Sequence, residues 1–392
     1  MISKDKHQKH VKLNKPQFGD FGRLELGFLG TSCRQIQQLA KTIIGQLSQS
    51  YGLAYVDADH QEGDQLKAGG GDPESLMQYP GLMELRNKIV FRRLDMRLEE
   101  VSVFEQREWL NRQDLVLVNA NHFRAMHQVL VIDPKKSMDK KLSRLTNVCL
   151  ILMKDGATEI PVEIRNHLPY WKEIPVFAME ETRKLVDFVR KFVADSRTDV
   201  IGLVLIGGKS SRMGRDKYDL SYHGKSQKDY MMDLLGPYCE EVFLSCNPDQ
   251  AAELEQAYPL VVDSVLDLGP FGGLLSAFRN KPDKAWLSVA CDLPFLTGKT
   301  VQHLLENRNP SKLATAFLDP NGEFPEPLIT IWEPRAYPVL FRFLSQGYSC
   351  PRKVLINSDI ELLQAPDPSE FRNVNYPEEH QAALAALKGQ GS

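Results

Sequence analysis

Residues 200–217, VIGLVLIGGKSSRMGRDK, decide how this chain is read. A continuous apolar run reads as a buried strand. From Leu205 to Lys217 it gives way to three glycines, four basic residues and two serines. Strand, glycine turn and helix in that order form a phosphate cradle. Gly207 and Gly208 let backbone N–H groups approach a nucleotide closely, and Arg212 and Lys217 can neutralise charge on a triphosphate and its departing pyrophosphate. The spacing is not that of a Walker A motif. Taken alone, the segment is equally a glycine-rich turn with a solvated basic face.

Features further along the chain favour the cradle. VACDLPFL (289–296) sets Asp292 at the end of an apolar strand, where an unpartnered acid would cost several kcal/mol. Mg²⁺ suits that position, because it takes one or two carboxylates and completes its shell with substrate phosphates and water. A helix N-cap ahead of Pro294 is the competing role. In VVDSVLDLGPFGGLLSA (261–277), Asp263 ends a strand, and Gly269, Gly272 and Gly273 precede an apolar helix. Glycines there admit a flat base or ribose, and a helix N-terminus favours an anion. In EFRNVNYPEEH (370–380), Asn373 and Asn375 share one face of an extended segment and suit a polar substrate. Capping explains one of them equally well.

The first half repeats the pattern. LELGF (24–28) reads as a buried strand, and Ile36, Leu39, Ala40, Ile43, Ile44 and Leu47 then recur at helical spacing. Strands follow at 53–57, 114–119, 129–133, 148–153 and 174–178, and a helix at 181–194. In the second half they are expected at 241–247, 259–263, 285–292 and 328–332, with helices near 272–279, 299–307, 334–345 and 378–387. Continuous apolar strands fit sheets covered on both faces. Both halves therefore read as three-layer α/β domains, with ligands at the carboxyl ends of the strands. The expected organisation is a mobile tail over 1–22, one domain over 23–195, a linker near 195–199 and a second domain over 199–388. The glycines and charges of 63–74 mark a surface loop, with a lid as the functional alternative.

At 392 residues, two domains are the natural expectation. A formal net charge of -3 gives no global pull toward nucleic acid or anionic membrane, so phosphate binding must come from local groups. No apolar run reaches a bilayer span of about 20 residues, and the N-terminus is polar, so a cytoplasmic protein is expected. The six cysteines form no CxxC pair, which argues against a zinc site or disulfide framework and for reduced thiols.

The order LxGGxSxRMGxDK, GPxxG, CDxPFL, EPL, NVNxPEE resembles the molybdenum cofactor guanylyltransferases, the MobA family, over about residues 199–388. The resemblance implies a Rossmann-like nucleotidyltransferase fold of the nucleotide-diphospho-sugar transferase type, with GTP, Mg²⁺ and molybdopterin or molybdenum-molybdopterin. It places Leu205, Gly207 and Gly208 at guanine and ribose, and Arg212 and Lys217 at the phosphates. Asp263 and Gly269 then lie near the nucleotide, Asp292 binds Mg²⁺, and Asn373 and Asn375 border the pterin. Ile206 stands where the family usually has Ala, a change that could crowd the base. The paired glycines favour GTP over CTP, whose enzymes usually carry AAG. A sugar-phosphate nucleotidyltransferase or a noncatalytic cofactor carrier are the alternatives.

The first half is similar to the MobB family, which implies a P-loop NTPase-like fold and a GTP-binding partner. In ELGFLGTSCR (25–34), Gly27 and Gly30 fit the glycine pattern, but Ser32, Cys33 and Arg34 occupy the Gly-Lys-Ser/Thr positions. With the lysine missing, efficient triphosphate hydrolysis is hard to build. A scaffold or docking surface for cofactor carriers or molybdoenzymes is the expectation.

Overall fold

The computed structural model describes residues 21–58, 83–87, 89–96, 102–206 and 217–390. The chain divides into two compact units, Met1–Ser196 and Arg197–Ser392. Most of the expected tail and the whole of the 63–74 loop lie outside the described residues. Phe21, at the tail's end, is buried, and its ring meets Phe123 edge-on with centroids 5.5 Å apart.

The first unit begins with β1 (Glu25–Leu29), α1 (Cys33–Leu47) and β2 (Leu53–Val56). A polar antiparallel hairpin, β3 (Glu84–Asn87) and β4 (Arg92–Asp95), precedes α2 (Val103–Leu110). The unit continues through β5 (Leu115–Asn119), β6 (His127–Ile132), β7 (Asn147–Met153), α3 (Val162–His167), β8 (Val176–Ala178) and α4 (Thr182–Asp195). Six of these strands form one parallel sheet in the order β2-β5-β1-β6-β7-β8. Side chains alternate between its faces. Leu26 and Phe28 join the core beneath α1 and α4, whereas Leu29 and Leu130 pack toward α3. Ser32 caps α1 by accepting from Gln35 N, and Ser102 and Glu105 form a capping box on α2.

The second unit runs β9 (Val200–Leu205), α5 (Gln227–Leu235), β10 (Val242–Cys246), α6 (Pro248–Leu254), β11 (Leu260–Val262), α7 (Pro270–Asn280) and β12 (Ala285–Ala290). It goes on through α8 (Gly298–Glu306), β13 (Ala314–Leu318), β14 (Pro325–Trp332), α9 (Ala336–Ser345), α10 (Pro351–Ile356), β15 (Glu361–Leu363) and α11 (Pro377–Gln390). The seven-stranded sheet has the order β11-β10-β9-β12-β14-β13-β15, and β14 is antiparallel to both neighbours. On β9, Val200 and Val204 pack in one layer with α5 and α8, while Ile201, Leu203 and Leu205 pack in the other with α7 and α9. Each fully buried aliphatic side chain of this kind contributes about 1.5–3 kcal/mol relative to exposure.

Both units have the expected α/β architecture. Beyond the elements expected from sequence, the structure adds the hairpin, β13, β15 and five short helices, α2, α3, α5, α6 and α10. Chain order makes β1 and β9 the switch strands: the chain visits β2 and β5 on one side of β1 before crossing to β6 on the other, and β10 and β11 on one side of β9 before crossing to β12. Ligands bind at such points, beyond the carboxyl ends of the strands.

Candidate active site

At the switch point of the second unit, Leu205 of β9 lies in register with Ala290 of β12 and Ser245 of β10. Gly207, Gly208 and Arg212 fall outside the described residues. Lys217 opens a 3₁₀ turn, Lys217–Asp219. Ile206 is 7% exposed, its N–H donates to Ser245 O at 3.1 Å, and its side chain belongs to the core. Its larger side chain is therefore taken up by core packing.

Two residues beyond β12, Asp292 is half-buried. It is not the cap of α8, because that helix starts at Gly298 after Thr297. Instead, its carbonyl accepts from Val374 N at 3.1 Å, which brings the Asn373–Asn375 segment to the metal candidate. Glu370 fastens the same segment by accepting from Thr297 N at 2.9 Å and Thr297 Oγ1 at 2.8 Å. The Arg372 guanidinium lies 4.1 Å from the Phe295 ring centroid. Val374 is buried between the asparagines, so Asn373 and Asn375 share the opposite face. Asn373 Oδ1 is buried without a hydrogen-bond partner among the described residues. The backbone N–H groups of Asn375 and Tyr376 donate to Glu379 Oε2 at 2.7 and 3.2 Å, setting the entry into α11.

A third segment meets the same place. His223 Nε2 lies 2.8 Å from Pro294 O, so this nitrogen carries the proton, and its ring stacks on Tyr230 at 3.8 Å. That anchor sets Tyr222 edge-on to His380, centroids 4.9 Å apart. Burial, followed by the nearby charges of Cys291, Asp292 and Glu379, pushes the Tyr222 phenol above its usual range. Glu326, in the EPL motif, is 7% exposed and receives Arg352 at 3.2 Å. Burial raises its carboxyl, and Asp319 and Asp292 add to the effect against Arg352. The motif order marked Glu326, but only the fold reveals Arg352 as its partner.

On the other side of β9, Asp263 follows β11, and its N–H donates to Cys246 O at 2.8 Å. Ser245 Oγ donates to Asp263 Oδ1 at 3.3 Å. Burial nevertheless raises the Asp263 carboxyl to about 6. Gly269, at φ +54°, is the N-cap residue of α7. A Cβ on Gly273 would lie 2.4 Å from Ser245 Oγ and 3.0 Å from Leu205 Cδ2, so glycine lets α7 close on the sheet beside Asp263. The fold thus gathers Asp292 and the two asparagines on one side, and Asp263 with the start of α7 on the other, with Leu205 on β9 between them. Among the described residues no three His, Cys, Asp or Glu side chains converge as a metal-holding group.

The corresponding crevice of the first unit is built differently. Only Gly30, Thr31 and Ser32 connect β1 to α1, too few for the loop of a Walker A motif. Lys154 pairs with Asp133 at 2.7 Å and reaches Gln35 Oε1 at 3.3 Å, and Thr31 Oγ1 donates to Asp133 at 3.1 Å. Burial opposes it, but Lys154, Lys135 N and Thr31 together hold the Asp133 carboxyl below the usual range. The place of the phosphate-binding lysine is taken by Cys33. Among the described residues no helix is long and apolar enough to cross a membrane.

Comparison with known proteins finds relatives of the second unit. Residues 202–361 match the MobA-like NTP transferase domain family. The chain is 36% identical over 187 residues to a molybdenum cofactor biosynthesis bifunctional protein of Synechocystis sp., covering 47% of this chain and 54% of that protein. It thus spans about half the length of that relative. It is 30% identical over 180 residues to a molybdenum cofactor guanylyltransferase of Pseudomonas putida, covering 45% of this chain and 93% of that enzyme. A solved structure of molybdopterin-guanine dinucleotide biosynthesis protein A from Archaeoglobus fulgidus covers 48% of this chain and 99% of its own at 19% identity and a TM-score of 0.42. With most of a 30%-identical relative matched, and the family's domain lying within the second unit, this chain belongs to the molybdenum cofactor guanylyltransferase family.

Proposed function

We propose that the second unit transfers GMP from GTP to the phosphate of molybdopterin or molybdenum-molybdopterin, releasing pyrophosphate. The observation that carries this reading is the bond between Val374 N and Asp292 O, which puts the asparagine segment beside the strand-end acid at the switch point. The nucleotide half of the crevice is then the β9–β11 side with Asp263 and Gly269, and the acceptor half is the side of Asn373 and Asn375.

A single half-buried carboxylate beside a triphosphate fits Mg²⁺, which completes its shell with phosphate oxygens and water. Asp292 would hold it, and the ion would supply charge neutralisation at the transferring phosphate. The attacking phosphate is already an anion, so the chain needs neither a covalent nucleophile nor a dedicated general base. Its own residues position the two substrates and balance charge, with Arg212 and Lys217 facing the phosphates. Asn373 Oδ1, buried and without a partner among the described residues, is an acceptor suited to a polar heterocycle.

The first unit, which we read as MobB-like, serves as a scaffold or docking surface for cofactor carriers or molybdoenzymes. Its three-residue strand-to-helix connection leaves no phosphate cradle. The test is pyrophosphate release by purified protein with molybdopterin and each NTP in turn. Release with GTP should fall at least a hundredfold in Asp292→Ala. An Asp292→Ala rate equal to wild type would support the noncatalytic carrier instead, and release with CTP but not GTP would overturn the choice of nucleotide.

A further inference from the structure

The first unit's crevice holds a cluster that the transfer reaction does not use. Cys33, the first residue of the fifteen-residue helix α1, has its Sγ 3.1 Å from His122 Nε2, in the turn after β5. The turn carrying His122 is held by Asn121 Nδ2, which donates to Thr31 O at 2.9 Å, and by Arg144, which donates to Asn121 O and, at 3.0 Å, to His122 O. Lys141 Nζ donates to Asn121 Oδ1 at 2.8 Å. Thiol and imidazole are thus fixed in contact at the switch point of the sheet, where a ligand is expected.

Among the described residues, the groups facing the sulfur are His122 and the Asn121 amide after β5, Lys141 from the 3₁₀ segment Asp139–Arg144, and Tyr55 on β2. Tyr55 donates its proton to Asp57 at 2.5 Å, and Asp57 also receives Asn119 at 2.7 Å, so that acid is turned away into its own bonds. Burial first, then Lys136 and Arg144, pull the Lys141 ammonium below its usual range, and the Cys33 sulfur acts in the opposite direction. An imidazole in contact with the sulfur can take its proton during attack, and the nearby ammonium and helix N–H groups add positive potential.

We propose that Cys33 and His122 form a nucleophilic thiol pair whose substrates are anionic low-molecular-weight disulfides. As Cys33 attacks, its proton passes to His122 Nε2. The Cys33 sulfur attacks one sulfur of the disulfide, so a Cys33 S–S bond forms as the original S–S bond breaks. The departing thiolate takes the proton from His122 Nε2, and the products are the mixed disulfide and one free thiol. No external oxidant is needed, because the disulfide itself is reduced. Lys141 and Arg144 supply positive charge for the anionic substrate. The other half-buried thiols lack this arrangement: burial pushes Cys149 up to about 11 and Cys239 up to about 12.

The test uses the full chain with oxidised glutathione, and separately with iodoacetamide, with modified residues located by peptide mapping. Exposed Cys350 is the internal reference. Near pH 7 an ordinary thiol is only a few per cent ionised, so Cys33 should react about tenfold faster than Cys350. His122→Asn should bring the two rates together, and Lys141→Gln should lower the Cys33 rate by about two- to threefold. At about pH 9.5, where an ordinary thiol is largely ionised without a base, wild-type and His122→Asn rates should converge, and an unchanged urea melt of His122→Asn checks that the crevice is intact. Equal Cys33 rates in wild type and both variants near pH 7, or Cys350 reacting first, would overturn the proposal.

Discussion

Asp263→Asn separates what the folded chain tolerates from what the substrate needs. The carboxyl is raised from 3.8 to about 6 because burial penalises its charge more than Ser245 relieves it. A group that binds its proton more tightly when folded contributes most at low pH, and that contribution is lost as pH rises through about 6. Two pKa units correspond to about 3 kcal/mol, and screening at the partly open side of Asp263 reduces this to about 1–2 kcal/mol. Asparagine keeps an acceptor for Ser245 and carries no charge. The variant should therefore gain about 1–2 kcal/mol over wild type between about pH 4 and pH 8, while losing affinity for GTP if Asp263 borders the nucleotide. Urea unfolding at both pH values reads the difference. Changing Trp109 and Trp171 to Phe leaves the emission to Trp286 and Trp332, both buried in the second unit. A stability difference that does not change with pH, or that favours wild type at pH 8, would refute the reasoning about burial.

Three further substitutions test the frame around the site. Gly273→Ala should cost about 1–3 kcal/mol of second-unit stability in urea melts, because its Cβ would meet Ser245 Oγ at 2.4 Å. Arg308 grips Glu333 through Nε at 2.7 Å and a terminal nitrogen at 2.8 Å, and Glu333 is 1% exposed. Arg308→Leu should therefore cost about 3–5 kcal/mol, much of it recovered when Glu333→Leu is added. Gln227 is fully buried, and neither atom of its amide has a partner among the described residues. Gln227→Leu should raise the melting temperature, by a gain of about 1–3 kcal/mol.

What the sequence made legible follows from the physics of each signal. Strands such as Val200–Leu205 and Leu115–Asn119 are apolar throughout because both sheet faces are covered, and that pattern is visible without any fold. The three-residue edge strand Glu361–Leu363 is too short to show a period. The hairpin strands ELRN and RRLD are largely polar, which conceals them. The antiparallel direction of β14 was not readable, because side-chain alternation is the same in both directions. Within the site, Asp292 announced itself as an acid ending an apolar run. Its link to Val374 spans 82 positions and rests on a backbone bond that no side-chain pattern encodes. Thr297 with Glu370, and His223 with Pro294, are equally long-range, and they are what hold the three segments together.

The central claim is that the second unit joins a guanine nucleotide to molybdopterin. Supplying α-labelled GTP, Mg²⁺ and molybdopterin to the purified full chain and following the label tests it most directly. Label should appear in a dinucleotide product, with pyrophosphate released in equal amount, and neither should form without molybdopterin. Label remaining wholly in GTP, or product formed only from labelled CTP, would contradict it.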